Sequence, residues 1–193
     1  MTSRTRWIAA SIATLLLVAG TVFAADPLPP FSLDKPKALK PAPDFTLPGN
    51  DGKKTRLQSL RGKVVVINFW ATWCGPCVAE LPSLKQMSDQ LRGPRFTLLT
   101  VDVQEEPGRV QAFLQRYGMS LSVLYDEEGD VQQLYGVRGL PTTIVVDAAG
   151  NLVGRALGAR QWNSPDALTY FRGLIGNKPA GSAEDPTLTQ RGK

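Results

Sequence analysis

The sequence reads as an α/β protein, a central sheet flanked by helices, and two observations predict it. Between residues 44 and 176, apolar runs of strand length alternate with segments whose apolar residues recur at helical spacing. The most apolar run, Val64-Val65-Val66-Ile67-Asn68-Phe69, is β-branched and continuous, as a strand buried on both faces is. It leads straight into a helix through Trp70-Ala71-Thr72-Trp73-Cys74-Gly75-Pro76-Cys77.

From the N-terminus, Arg4 and Arg6 precede an uncharged apolar stretch, Ile8 to Phe23, and Val22-Phe23-Ala24 before Ala25 fits a small-residue cleavage site. Residues 1–24 are expected to be an export signal. The sixteen residues of that stretch would reach about 24 Å as a helix, short of a hydrocarbon core of about 30 Å, which favours cleavage. Counting Trp7 to Ala25 approaches spanning length, so an uncleaved N-terminal membrane anchor is the alternative. Both outcomes place the domain outside the cytoplasm, which in a bacterium is the periplasm. Residues 25–43 hold six prolines and little apolar content, and read as a stiff, extended linker.

Phe45-Thr46-Leu47 and Lys54 to Leu57 then flank Gly49-Asn50-Asp51-Gly52, the pattern of an opening β-hairpin. After the central strand, Leu81, Leu84, Met87 and Leu91 mark one face of a helix. Arg95 to Val103 is the next parallel strand. The thirty-nine positions from Asp102 to Pro141 are too many for one loop in a compact domain. Pro107 opens a helix there, with Val110, Phe113, Leu114 and Tyr117 on one face, and Leu121 to Tyr125 reads as a strand. Thr142 to Asp147 and Leu152 to Leu157 meet across a turn at Ala148-Ala149-Gly150-Asn151. Ser164 as N-cap and Pro165 at the first helical position open a last helix through Leu168, Phe171 and Leu174. Residues 177–193 are polar, with Gly and Pro, and are expected to be a disordered tail.

The two cysteines of the chain carry its chemistry. A Cys-x-x-Cys pair at a strand-to-helix junction sets the first thiol at a helix N-terminus, where unpaired N–H groups and the macrodipole favour an anion. Cys74 is therefore expected to be an exposed, partly ionised nucleophile. Cys77, one turn further in, is expected to be buried and ready to attack a mixed disulfide formed on Cys74. A zinc site would need about four ligands, and the chain has no histidine and no second cysteine pair. A purely structural disulfide is the blander alternative, but short loops gain least from closure.

Over roughly Ala42 to Ile175 the chain resembles the thioredoxin superfamily, and more narrowly its TlpA/ResA branch of periplasm-facing thiol-disulfide oxidoreductases. Trp73-Cys74-Gly75-Pro76-Cys77 is similar to the active site of that family, and Pro82 falls where its active-site helix carries a kinking proline. Gly139-Leu140-Pro141-Thr142-Thr143 resembles the cis-proline loop, and Leu157-Gly158-Ala159 the third loop of the substrate surface. The resemblance implies a thioredoxin-like fold with a mixed central sheet, an N-terminal hairpin and an inserted helix-strand unit. It also implies a substrate surface of Trp73, Gly75, Pro76, Leu140, Pro141 and Gly158. Local sequence alone would read Leu140-Pro141 as an ordinary trans bond entering a strand, and only the resemblance makes it cis. Thioredoxins bury an aspartate six positions before the first cysteine, whereas this chain has Asn68, which cannot titrate. Glu80 lies three residues after Cys77 on the same helix, and a helical side chain leans back over the preceding turn. The TlpA/ResA branch is similar in carrying a glutamate there, which implies that Glu80 accepts the proton of the inner cysteine. A solvated surface glutamate is the other reading.

Taken together, these residues predict an exported thiol-disulfide oxidoreductase working mainly as a reductant through a Cys74/Cys77 cycle, with no cofactor beyond that redox-active disulfide and no metal. Gly75-Pro76 resembles the reducing end of the superfamily, whose extremes differ by about 150 mV, roughly 7 kcal/mol for two electrons. Three alternatives use related parts: a thiol oxidant, a thiol peroxidase of the same fold, and a non-enzymatic metallochaperone, the last disfavoured by the missing histidine. The expected partners are disulfide-bearing periplasmic proteins, among them those of cytochrome c or oxidase assembly, and a membrane-bound thiol reductant as electron donor. The formal charge of +5 falls to +3 once a signal with two arginines and no acids is removed, and no basic run interleaved with aromatics argues for nucleic acid.

Overall fold

The continuous apolar run becomes the middle of the sheet. In the computed structural model, which describes residues 27–176, β4 (Val64–Trp70) is buried along its whole length. It lies between β5 (Phe96–Val103), parallel to it, and β7 (Thr142–Val146), antiparallel to it. β6 (Val123–Asp126) extends the parallel side, and β8 (Asn151–Leu157) followed by β1 (Lys40–Pro41) the antiparallel side, giving the order β1-β8-β7-β4-β5-β6. The sheet is mixed, as expected. β2 (Thr46–Pro48) and β3 (Lys54–Arg56) form the opening hairpin as a separate two-stranded sheet.

The crossovers β4 to β5 and β5 to β6 run in the same direction, so right-handed connections put both of their helices on one face. These are α1 (Gly75–Gln90) and α2 (Pro107–Arg116). Alternation along β4 sorts the contacts accordingly: Asn68 meets Glu80 of α1, and the Trp70 ring lies 6.0 Å from Phe113 of α2. The last helix, α4 (Pro165–Gly176), joins this layer through Phe171, 6.1 Å from Phe96, and Ser164 caps it through the Ala167 amide. Phe69 points the other way, 5.7 Å from Tyr135.

Two differences from expectation lie near the inserted unit. β6 begins two residues later than the apolar pattern indicates; the Leu121 carbonyl accepts from Asn50 Nδ2, and the Ser122 carbonyl from Thr100 Oγ1 and the Thr100 amide. A five-residue helix, α3 (Asp130–Leu134), has no periodic signature long enough to be read. It is nucleated by the Asp126 carboxylate, which accepts from the Val131 and Gln132 amides at 3.1 and 2.7 Å.

The reading of 25–43 as a linker is corrected from residue 27 onward. Asp34 and Arg155 exchange backbone hydrogen bonds of 2.7 and 2.9 Å, and Lys40 and Pro41 pair with Leu152 and Asn151. Phe31 packs against Trp162, Tyr170 and Phe171 with ring centroids 5.8, 5.6 and 5.9 Å away. Leu33 covers Gly154, where an added Cβ would come within 3.0 Å of its side chain. Prolines impose an extended chain, and an extended chain is what a sheet edge pairs with. The composition set the shape of this strap, and two apolar side chains within it supplied the attachment. The expected signal and tail, residues 1–24 and 177–193, lie outside the described residues, as do the first two residues of the expected linker. Replacing Phe31 by Ala should cost about 2 kcal/mol of stability in urea unfolding, whereas a free linker would lose nothing.

Candidate active site

Cys74 is the N-cap of α1, with extended backbone at φ −87° and ψ 97°, and its sulfur accepts from the Cys77 amide at 3.3 Å. Gly75 and Pro76 form the first helical positions, where a proline removes only an amide that has no partner in the helix anyway. The two cysteines form a disulfide with Cα atoms 5.3 Å apart. Cys77 is fully buried, as expected. The expected exposure of Cys74 is corrected: joined to Cys77 in the disulfide, it is only 6% exposed.

The ends of three strands bring the remaining loops to the same place. Phe69 pairs with Thr142 and Thr142 with Leu157, so the segments running on from or leading into these residues, Trp70 to Cys74, Gly139 to Pro141 and Gly158, share one end of the sheet. The Leu140-Pro141 bond is cis. The Gly158 amide donates to the Pro141 carbonyl at 2.8 Å, with Gly158 at φ +82°, a conformation that favours glycine. Trp73 and Leu157 are exposed there at 63% and 58%, and Leu140 is half-buried. These apolar groups lie at the end of the sheet from which α1 and the disulfide start.

Glu80 is not on the surface. It is fully buried, and its carboxylate accepts three hydrogen bonds: from Asn68 Nδ2 at 2.8 Å, Trp162 Nε1 at 2.8 Å and the Arg160 amide at 2.9 Å. Burial raises its pKa above the usual carboxylate value, and the three donors and the Arg160 charge oppose the rise without cancelling it. Asn68, in the position where thioredoxins have an acid, is a donor to Glu80 and, at 2.9 Å, to Thr143 Oγ1. The amide thus serves the displaced carboxylate. Sequence reasoning missed Trp162, Thr143 and the Arg160 amide, which reach Glu80 and Asn68 only through the fold. Among the described residues, no group of three Cys, Asp or Glu side chains is placed to hold a metal ion.

Residues 38–155 match the model of the AhpC/TSA family, and the chain belongs to that family. It is a thiol-disulfide oxidoreductase with a thioredoxin-like fold. The thiol-disulfide oxidoreductase ResA of Halalkalibacterium halodurans is 34% identical over 148 residues, 76% of this chain and 83% of that one. ResA of Geobacillus thermodenitrificans is 37% identical over 111 residues, 58% of this chain and 64% of that one. Among solved structures, a thiol:disulfide interchange protein of the thioredoxin family from Chlorobium tepidum aligns at a TM-score of 0.62 with 30% identity, covering 72% of this chain and 98% of that one.

A raised folded pKa has a definite sign. Between the unfolded pKa and the folded one, native Glu80 holds a proton that the unfolded chain has lost, so its contribution to stability declines as pH rises through that window. Glu80→Gln removes the titration. The difference in Tm between this variant and the oxidised wild type should therefore rise from pH 4 to pH 8, and a difference independent of pH would place the carboxylate in an ordinary environment.

Proposed function

We propose that this oxidoreductase works outside the cytoplasm as a reductant of protein disulfides, with Cys74 attacking, Cys77 resolving and Glu80 receiving the Cys77 proton. The observation that carries the reading is the buried Glu80 carboxylate on the turn following Cys77, a base whose pKa is raised by burial. In the reduced enzyme the Cys74 thiolate attacks one sulfur of the substrate disulfide, forming a mixed disulfide and releasing the other sulfur as a thiolate. Glu80 takes the proton of the Cys77 thiol. The resulting Cys77 thiolate attacks Cys74, re-forming the Cys74–Cys77 bond and expelling the second substrate sulfur. Two electrons pass to the substrate, and the proton on Glu80 follows.

Trp73, Gly75, Pro76, Leu140, Pro141 and Gly158 are the proposed docking surface, with the backbone beside Leu140 able to pair with an extended substrate segment. The proposed substrates are disulfide-bearing exported proteins, such as those awaiting haem or copper, and a membrane thiol reductant regenerates the pair. Location outside the cytoplasm rests on the export signal read in residues 1–24. The domain is then either released or tethered by that segment.

In reduced protein, Cys74 should alkylate with iodoacetamide at least tenfold faster than Cys77, since it alone is at the helix N-terminus with any exposure; equal rates would remove the nucleophile assignment. Cys74→Ser should abolish insulin disulfide reduction, and Cys77→Ser should accumulate mixed disulfides. Glu80→Gln should slow resolution by roughly 10²-fold or more, within the range of one lost general base. Unchanged turnover and pH profile in that variant would leave Glu80 without a catalytic role. A redox titration against glutathione that returned a potential near those of strong oxidants, about −120 mV, would reverse the direction proposed.

A further inference from the structure

Asp102 is a second buried acid on the active-site face of the sheet, and the disulfide cycle described above makes no use of it. It sits near the end of β5, in register with Trp70 of β4 and Tyr125 of β6, and is wholly shielded from solvent. No donor reaches either carboxylate oxygen. An ionised carboxylate in such a place would be very costly, so the group stays neutral, and a neutral carboxyl has an O–H to give. The group placed to take it is Glu105, just beyond the end of the same strand.

Glu105 is itself nearly buried, and it holds the turn that carries Cys74. Its Oε2 accepts from the Thr72 amide at 2.6 Å, its Oε1 accepts from Thr72 Oγ1 at 2.6 Å, and Oε1 lies 3.0 Å from Arg109 Nε at the start of α2. Both oxygens are thus committed to a residue two positions before the N-cap cysteine. We propose that Asp102 and Glu105 are positioning residues for Cys74: neutral Asp102 donates to the Glu105 carboxylate, which clamps Thr72 and so sets the turn that presents the attacking sulfur. The effect on rate rests on Cys74 being the attacking thiol; the clamp does not.

The other charged and titratable groups around Asp102 are Arg109 on α2, Tyr125 on β6, which accepts from Gln111 of α2 at 3.4 Å, and Glu80 of α1 on the same face of the sheet. Only Arg109 favours ionisation. Burial first, then the Glu105 charge and the hydrogen bond to it, push Asp102 up to about 8. Loss of its proton there sets two negative charges side by side and removes the donor that supports Glu105. The clamp on Thr72 then loosens as pH rises through about 8.

The test uses oxidised protein, in which neither cysteine titrates. The Thr72 amide nitrogen and proton shifts, followed by NMR from pH 6 to 9.5, should inflect near pH 8 in the wild type and stay flat in Asp102→Asn, with the Thr72 resonance displaced at every pH in Glu105→Gln. A flat wild-type titration, or an inflection that survives Asp102→Asn, overturns the proposal without requiring any variant to be active. In reduced protein at pH 7, Glu105→Gln and Thr72→Val should each slow Cys74 alkylation at least fivefold. An inflecting Thr72 amide with unchanged alkylation would overturn the positioning role, whereas failure of Cys74 as nucleophile appears separately in Cys74→Ser.

Discussion

Burial of the Glu80 carboxylate governs the design of this domain. A charge-bearing group in a packed interior is tolerated only if its oxygens are supplied with donors, and here the donors come from three separate places: the amide of Asn68 on β4, the indole of Trp162 ahead of α4, and the backbone N–H of Arg160. None is a salt bridge. The acid is therefore kept buried yet titratable, which a paired arginine would prevent by holding it ionised. Each donor in turn has its own support: Asn68 through Thr143, Trp162 through Phe31 and Phe171, and the Arg160 segment through Ser32 and Pro29 of the N-terminal strap. The Glu80 carboxylate is thereby tied to packing contacts spread over most of the described chain.

The sheet makes that convergence possible. Parallel pairing of β4 with β5 and antiparallel pairing with β7 bring Trp70, Asp102 and Thr142 to one end, so the loops that follow or precede them share one rim. Helix α1 starts there, and its unpaired N-terminal amides and macrodipole act on Cys74. Trp73 stands exposed on that rim beside a nearly covered disulfide.

The two acids of the site are held in contrasting ways. Glu80 has three donors and no carboxylate beside it; Asp102 has none and a carboxylate for a neighbour. Both are raised by burial, but the donors around Glu80 restrain the rise while Glu105 adds to that of Asp102.

Much of the fold and half of the site were legible in the chain itself. The cysteine pair, the buried central strand, the faces of α1 and α2, the opening hairpin and the Ser164-Pro165 helix start are written in residues adjacent or a turn apart, and local sterics and burial suffice to decide them. The cis form of Leu140-Pro141 and the placement of Gly158 were legible only through family resemblance, since the local sequence admits either isomer. What tertiary structure alone decided are the partners of Glu80, drawn from positions 68, 160 and 162, the clamp from Glu105 to Thr72, and the docking of residues 27–43. These are contacts between segments far apart in the chain or on different strands. No local propensity encodes them, because a polar side chain looks the same in sequence whether water or a buried donor completes its hydrogen bonds.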